Sequence, residues 1–188
     1  MFIKVSLILL LIASSVFALD AGQKAADFAL KDGSGQEVKL TDFSGKNLVV
    51  IFISTKCPYS QAFNKVMADL SKDYSAKGIT VLGINSNKSE TVADVAAHAK
   101  EHFPFQVVKD EDNKVADLYG AQVTPEAFVI DGNGMIRYHG ALGNSKNPTT
   151  DASRANSDDI RGALDELLSG KQIAKDKTKA FGCSIKRV

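Results

Sequence analysis

The chain has 188 residues, 44% of them hydrophobic, with 23 Lys and Arg against 22 Asp and Glu and a formal net charge of +1. That balance excludes the basic footprint of a nucleic-acid binder and gives no cationic face for an anionic membrane. The length suits one domain with a full hydrophobic core.

Residues 1–18 read as a secretory signal. Lys4 is the positive n-region, Val5 to Ala13 a short apolar core, and Val16-Phe17-Ala18 supplies small residues at the minus-three and minus-one positions for cleavage before Leu19. The apolar run is short for a membrane span and is interrupted by Ser14-Ser15; an uncleaved anchor is the competing reading. A cleaved signal implies export, to the periplasm if the cell is bacterial. The chain then divides into a body over 19–170 and a tail over 171–188.

Ala26 to Lys31 and Gln36 to Leu40 flank Asp32-Gly33-Ser34-Gly35 and predict an N-terminal β-hairpin. After the turn Asp42 to Lys46, Val49-Val50-Ile51-Phe52-Ile53 is an apolar run rich in β-branched residues that predicts a buried strand. It stops at Ser54-Thr55-Lys56 and meets Cys57-Pro58, beyond which Phe63, Val66, Met67, Leu70 and Tyr74 recur at helical spacing. Proline is favoured at the first helical position because the amide it lacks has no partner there, so Pro58 places Cys57 at the N-cap. Free backbone amides and the helix dipole then favour thiolate over thiol, with Lys56 as a neighbouring cation. Cys57 is expected to be an acidic, reactive thiol; a small buried hydrophobe is the alternative.

Lys77-Gly78 is a helix stop, and Ile79 to Asn85 predicts a second buried strand. Thr91 with Asp94 forms a capping box for a helix whose inner stripe is Val92, Val95, Ala96 and Ala99. His98 and His102 stand four apart there, a spacing that suits a metal, but with no third ligand at a suitable distance they are read as a solvated face, and no metal is expected. Gln106 to Val108 predicts a short strand, and Asp110 to Asn113 the acidic start of a short helix carrying Val115, Leu118 and Tyr119. Thr124-Pro125 opens an apolar strand that Asp131-Gly132-Asn133-Gly134 turns back into Met135 to His139, an antiparallel pair. Gly143 to Ser157 carries no apolar period and reads as a long exposed loop, functional or merely mobile. The last helix opens at Asp158-Asp159, presents Ile160, Leu164, Leu167 and Leu168 to the core, and stops at Gly170. The tail is basic and polar until Ala180-Phe181-Gly182-Cys183-Ser184-Ile185, an apolar patch that suggests docking on the body. Together the elements predict an α/β fold with a central mixed sheet flanked by helices.

Two cysteines in an exported chain are the minimum for one disulfide. A Cys57–Cys183 bond closes about 127 residues, worth roughly 4 to 5 kcal/mol of chain entropy. It would be either a clasp or a redox switch.

The strand, Cys57 at a helix start and Thr124-Pro125 opening a later strand resemble the thioredoxin superfamily. The hairpin with Asp27-Phe28 and the Asp42 to Lys46 lead-in resemble its redoxin branch, of the alkyl hydroperoxide reductase and thiol-specific antioxidant type (AhpC/TSA). The likeness covers about residues 22–170, and the ending Gly182 to Lys186 resembles an exported peroxiredoxin-like subgroup. The resemblance implies a thioredoxin-like fold, Cys57 as the attacking thiol, Pro125 as a cis-proline facing it, and Thr124 offering backbone hydrogen bonds to an extended substrate. Ser60 replaces the second cysteine of the family's Cys-x-x-Cys, and Ile51 its buried carboxylate. Peroxiredoxins align their peroxide-reducing cysteine with Ser60 and need an arginine nearby; Arg137 and Arg154 are the candidates, while Ser54 could imitate the peroxiredoxin threonine.

Three functions compete. In the first, the chain is a thiol–disulfide oxidoreductase in which Cys57 attacks, a swinging Cys183 resolves, and Lys56, Pro58, Tyr59, Ser60, Thr124 and Pro125 support, with the Ser60 hydroxyl donating to the thiolate. Its partners are a protein or small-molecule disulfide and a separate thiol donor, with no cofactor and no metal. The second is a thiol peroxidase passing through a sulfenic acid. The third is a binding protein clasped by a permanent disulfide.

Overall fold

The computed structural model describes residues 19–145 and 148–187; the expected signal at 1–18 lies outside them. The hairpin forms from β1 (Ala29–Asp32) and β2 (Glu37–Lys39), with Leu30 opposite Val38. β3 (Asn47–Ile53) leads through Cys57 into α1 (Pro58–Ala62) and α2 (Asn64–Ser75), which a single irregular residue, Phe63, separates. Then follow β4 (Ile79–Asn85), α3 (Val92–His102), β5 (Gln106–Lys109), α4 (Lys114–Tyr119), β6 (Val123–Thr124), β7 (Glu126–Ile130), β8 (Ile136–Gly140), α5 (Asp158–Leu168) and β9 (Cys183–Ser184).

Seven strands make one mixed sheet in the order β2-β1-β5-β4-β3-β7-β8, and β6 with β9 makes a second, two-stranded one. β3, β4 and β5 run parallel, while β7 is antiparallel to β3 and β8 to β7. The apolar run of β3 is unbroken because both of its faces are covered. Val49, Ile51 and Ile53 pack toward α2, α3 and α5 with Met67, Leu70, Val95, Ile160 and Leu164. Leu48, Val50 and Phe52 meet Leu82, Val108, Val115, Tyr119 and Phe128 on the other side. Each such side chain contributes roughly 1.5–3 kcal/mol when fully buried. The strand that carries the cysteine turn is therefore held from both faces.

The hairpin, the mixed sheet and the Thr91 capping box are as expected; the Thr91 Oγ1 accepts the Asp94 amide and the Asp94 carboxylate accepts the Thr91 amide. Three details differ. Leu168 is 37% exposed, so the core face of α5 ends before it, and Leu118 is 49% exposed, on the outer side of α4 from the buried Val115 and Tyr119. His98 and His102 are half-buried rather than solvated, with rings 4.4 Å apart and His98 against Phe103, because the chain turns back over the end of α3. Among the described residues of the 143–157 loop, Ala152–Arg154 forms a 3-10 turn and Gly143 and Ser157 are buried, so the loop is pinned at both ends. Among the described residues no helix is long and apolar enough to cross a membrane.

Candidate active site

β3 ends at Ile53, and the next four residues turn so that Cys57 takes an extended N-cap conformation with Pro58 at the first helical position. The Cys57 Sγ accepts the Ser60 backbone amide at 3.4 Å and donates to the Thr124 carbonyl at 3.2 Å. Cys57 is 4% exposed. Two expected helpers act differently. Lys56 aims its ammonium at the Ser89 carbonyl (3.0 Å) and Asp94 (3.7 Å), because α3 offers it a carboxylate. Ser60 serves the sulfur through its amide, while its hydroxyl accepts the Ser54 amide at 3.0 Å.

Sequence reasoning missed Glu90. It lies in the link between β4 and α3, is buried, and accepts the amides of Thr55 (2.7 Å) and Lys56 (3.3 Å) and the side-chain amide of Asn85 (2.6 Å). The Ser54 hydroxyl donates to it and in turn accepts the Cys57 amide at 3.0 Å. Burial alone would raise the Glu90 carboxyl, but the Ser54, Thr55 and Asn85 donors outweigh it and hold it below the usual value. Its charge is thus spent on fixing the cysteine turn. The polar run Asn85-Ser86-Asn87 after a buried strand was the one signal that something there needed satisfying. Glu90→Ala leaves these donors unpaired at about 1–3 kcal/mol for a buried orphan, so chemical denaturation should show a loss of that order or more. A variant as stable as the parent would mean that water replaces the carboxylate freely.

Cys183 does not swing on a loose tail. It lies in β9, antiparallel to β6, with Cys183 opposite Thr124 and Ser184 opposite Val123. The tail is tied on both sides: the Ile185 amide donates to the Gln122 carbonyl, and the Lys186 amide to Asn87 Oδ1, each at 2.9 Å. Lys88 donates back to the Lys186 carbonyl at 2.9 Å, and the Arg187 guanidinium pairs with Asp117 and the Ala121 carbonyl. Ile185 is buried, and Phe181 sets its ring edge-on to Tyr59 and Phe63, 6.1 Å from each. The backbone edge of Thr124, expected to be open for substrate, is therefore filled by the chain's own tail. That register sets Cys183 beside Cys57, and burial first, then that neighbour, pushes its thiol up to about 11.

The Thr124–Pro125 peptide bond is cis. Directly after it, Glu126 Oε2 accepts the amides of Gln122 (2.8 Å) and Val123 (3.1 Å), and Oε1 bonds His139 Nε2 at 2.7 Å. His139 reaches Asp20 with Nδ1 at 3.1 Å and stacks on Phe128 with ring centres 4.1 Å apart. Burial alone would lower its imidazole, but the Glu126 and Asp20 bonds outweigh it and hold it above the ordinary value. This buried cluster fixes the loop that faces the sulfur.

The features a peroxidase would use are committed elsewhere. Arg137 pairs with Asp131 at the far end of β7, Arg154 pairs with Asp151, and the Ser54 hydroxyl is bound by Glu90 and the Cys57 amide. Among the described residues no group of three His, Cys, Asp or Glu is placed to hold a metal.

The chain is 30% identical over 120 residues to thiol-disulfide oxidoreductase ResA of Geobacillus thermodenitrificans, covering 64% of this chain and 68% of that one. It is 32% identical over 133 residues to the chloroplastic peroxiredoxin Q of Sedum lineare, covering 66% and 70%. Among solved structures, a hypothetical protein from Sinorhizobium meliloti 1021 superposes with a TM-score of 0.84 at 32% identity, over 92% of this chain and 97% of that one. The thioredoxin domain of a thiol-disulfide oxidoreductase from Bacteroides vulgatus shares the fold, with a TM-score of 0.64 at 20% identity over 80% and 99%. The fold thus has its counterparts, and with residues 21–139 matching the AhpC/TSA family the chain belongs to that family.

Proposed function

We propose that this chain is an exported thiol–disulfide oxidoreductase in which Cys57 is the nucleophile and Cys183 the resolving cysteine. That it is an oxidoreductase follows from its relatives. The cysteine roles rest chiefly on one observation, the register that puts Cys183 opposite Thr124 and against Cys57.

The Cys57 thiolate attacks one sulfur of a substrate disulfide, forming a mixed disulfide and expelling the other sulfur as a thiolate. Cys183 gives its proton to solvent and attacks the Cys57 sulfur, which releases the bound substrate thiolate and leaves a Cys57–Cys183 disulfide. A separate thiol donor then returns the pair to the dithiol state. With serine at position 60, Cys57 has no partner inside its own helix turn, so a resolving sulfur has to come from elsewhere. Because β9 covers β6, a substrate takes the tail's place along Val123-Thr124 before Cys57 can reach it. Pro58 and Tyr59 shape the helix start, and Pro125 the facing wall. Substrates are disulfides of proteins or small molecules, and the reaction needs no cofactor. Export rests on the charged and apolar pattern of residues 1–18.

The test is a Cys183→Ser variant expressed in the native cell. It should accumulate mixed disulfides through Cys57, separable on non-reducing gels, and cell fractionation should find them outside the cytoplasm. If adducts are no more abundant than in the chain lacking both cysteines, the assignment of the two roles is wrong.

A further inference from the structure

Resting on that reading, we propose that in the oxidised chain the thiol donor attacks Cys183, so that electrons enter through the tail and Cys57 is the leaving group.

The two sulfurs differ in access. Cys57 is 4% exposed, closed in by the Ser60 amide, the Thr124 carbonyl and the tail strand laid over it. Cys183 keeps part of its surface in solvent, and Ser184 and Lys186 beside it are exposed. A disulfide between them tethers the tail where it already lies, so the covering over Cys57 stays shut. An incoming thiolate meets Cys183 first.

The two sulfurs also differ as leaving groups, and exchange is faster when the departing thiolate is the better stabilised. Cys57 leaves onto the Ser60 amide, in a turn that Glu90 and Ser54 hold fixed. Burial disfavours the Cys183 thiolate, and the Tyr59 amide and Lys186 offset it only in part. Access and departure therefore select the same direction.

The steps balance. A donor thiolate bonds to the Cys183 sulfur as the Cys57–Cys183 bond breaks, and the electron pair leaves on Cys57. A second donor thiol attacks the donor sulfur of the mixed disulfide, giving the donor's own disulfide and returning Cys183, which takes a proton from solvent. Two donor thiols are oxidised and one enzyme disulfide is reduced.

The experiment uses the full-length chain after mild oxidation. Mass spectrometry first establishes the Cys57–Cys183 disulfide; if none forms, the reading beneath this inference fails and the inference goes with it. Limiting glutathione is then added, the reaction acid-quenched at short intervals, free thiols alkylated and the peptides mapped. Glutathione on Cys183 with the alkyl group on Cys57, in at least about tenfold excess over the opposite pattern, is the expected result. Sulfite gives a second reading through an S-sulfonate that survives the quench, and it should mark the same sulfur. Either adduct predominantly on Cys57, with disulfide formation intact, overturns the inference and leaves the proposed function standing.

Discussion

Cys57→Ser should lower turnover of a model disulfide by at least about a thousandfold, to the background of the uncatalysed exchange. The substitution isolates chemistry from folding because serine is itself a favoured N-cap residue. Its hydroxyl can accept the Ser60 amide and donate to the Thr124 carbonyl as the thiol does, so α1 keeps its start and the melting temperature should barely move. What is lost is the thiolate, for a serine hydroxyl is not ionised near neutral pH and does not cleave a disulfide. Cys183 is the other of the two cysteines, and burial, the largest cause of its raised thiol and one that the variant keeps, makes it a slow substitute. Residual turnover above about a tenth of the parent rate would transfer the nucleophile to Cys183 and reverse the proposed roles.

The cysteine turn was legible because every determinant of it is local. An unbroken apolar run marks a strand covered on both faces, proline at the first helical position fixes the N-cap, and both signals lie within about twelve residues. The Thr91–Asp94 capping box and the Asp131–Gly134 turn were readable for the same reason. The surroundings of the cysteine were less so. Lys56 stands next to Cys57 in sequence, yet its direction is set by Asp94 on α3. Glu90 reaches the turn from 35 residues away, and nothing in the spacing of a single glutamate announces a buried carboxylate. β6 and β9 are two residues each, too short to show any period, so the apolar patch around Cys183 suggested docking without giving the place. The Thr124 edge was identified, but its occupant was not, because strand pairing across about sixty residues leaves no mark in either segment alone.

Gly182→Val should slow closure of the Cys57–Cys183 disulfide by at least about tenfold while leaving the first attack by Cys57 intact or faster. A Cβ built on Gly182 would lie 2.0 Å from the Thr124 carbonyl oxygen and 2.7 Å from its carbon. Both are backbone atoms of the strand to which β9 is hydrogen-bonded, held in turn by the Glu126 bonds to Gln122 and Val123, so neither can yield as a flexible side chain would. The tail therefore has to leave the edge. Ile185 comes out of its apolar site, Phe181 leaves Tyr59 and Phe63, and Cys183 changes from a sulfur held at its target to one on a free segment. Resolution then depends on chance encounter instead of a fixed register. Loading Cys57 with a chromogenic aromatic thiol and following its release by Cys183 measures closure directly, and the burst with a disulfide substrate measures the first attack. The two rates should separate in the variant, closure falling as access to Cys57 improves. If closure is unchanged, the β6–β9 pairing does not govern the meeting of the two sulfurs, and the tail delivers Cys183 by some other path.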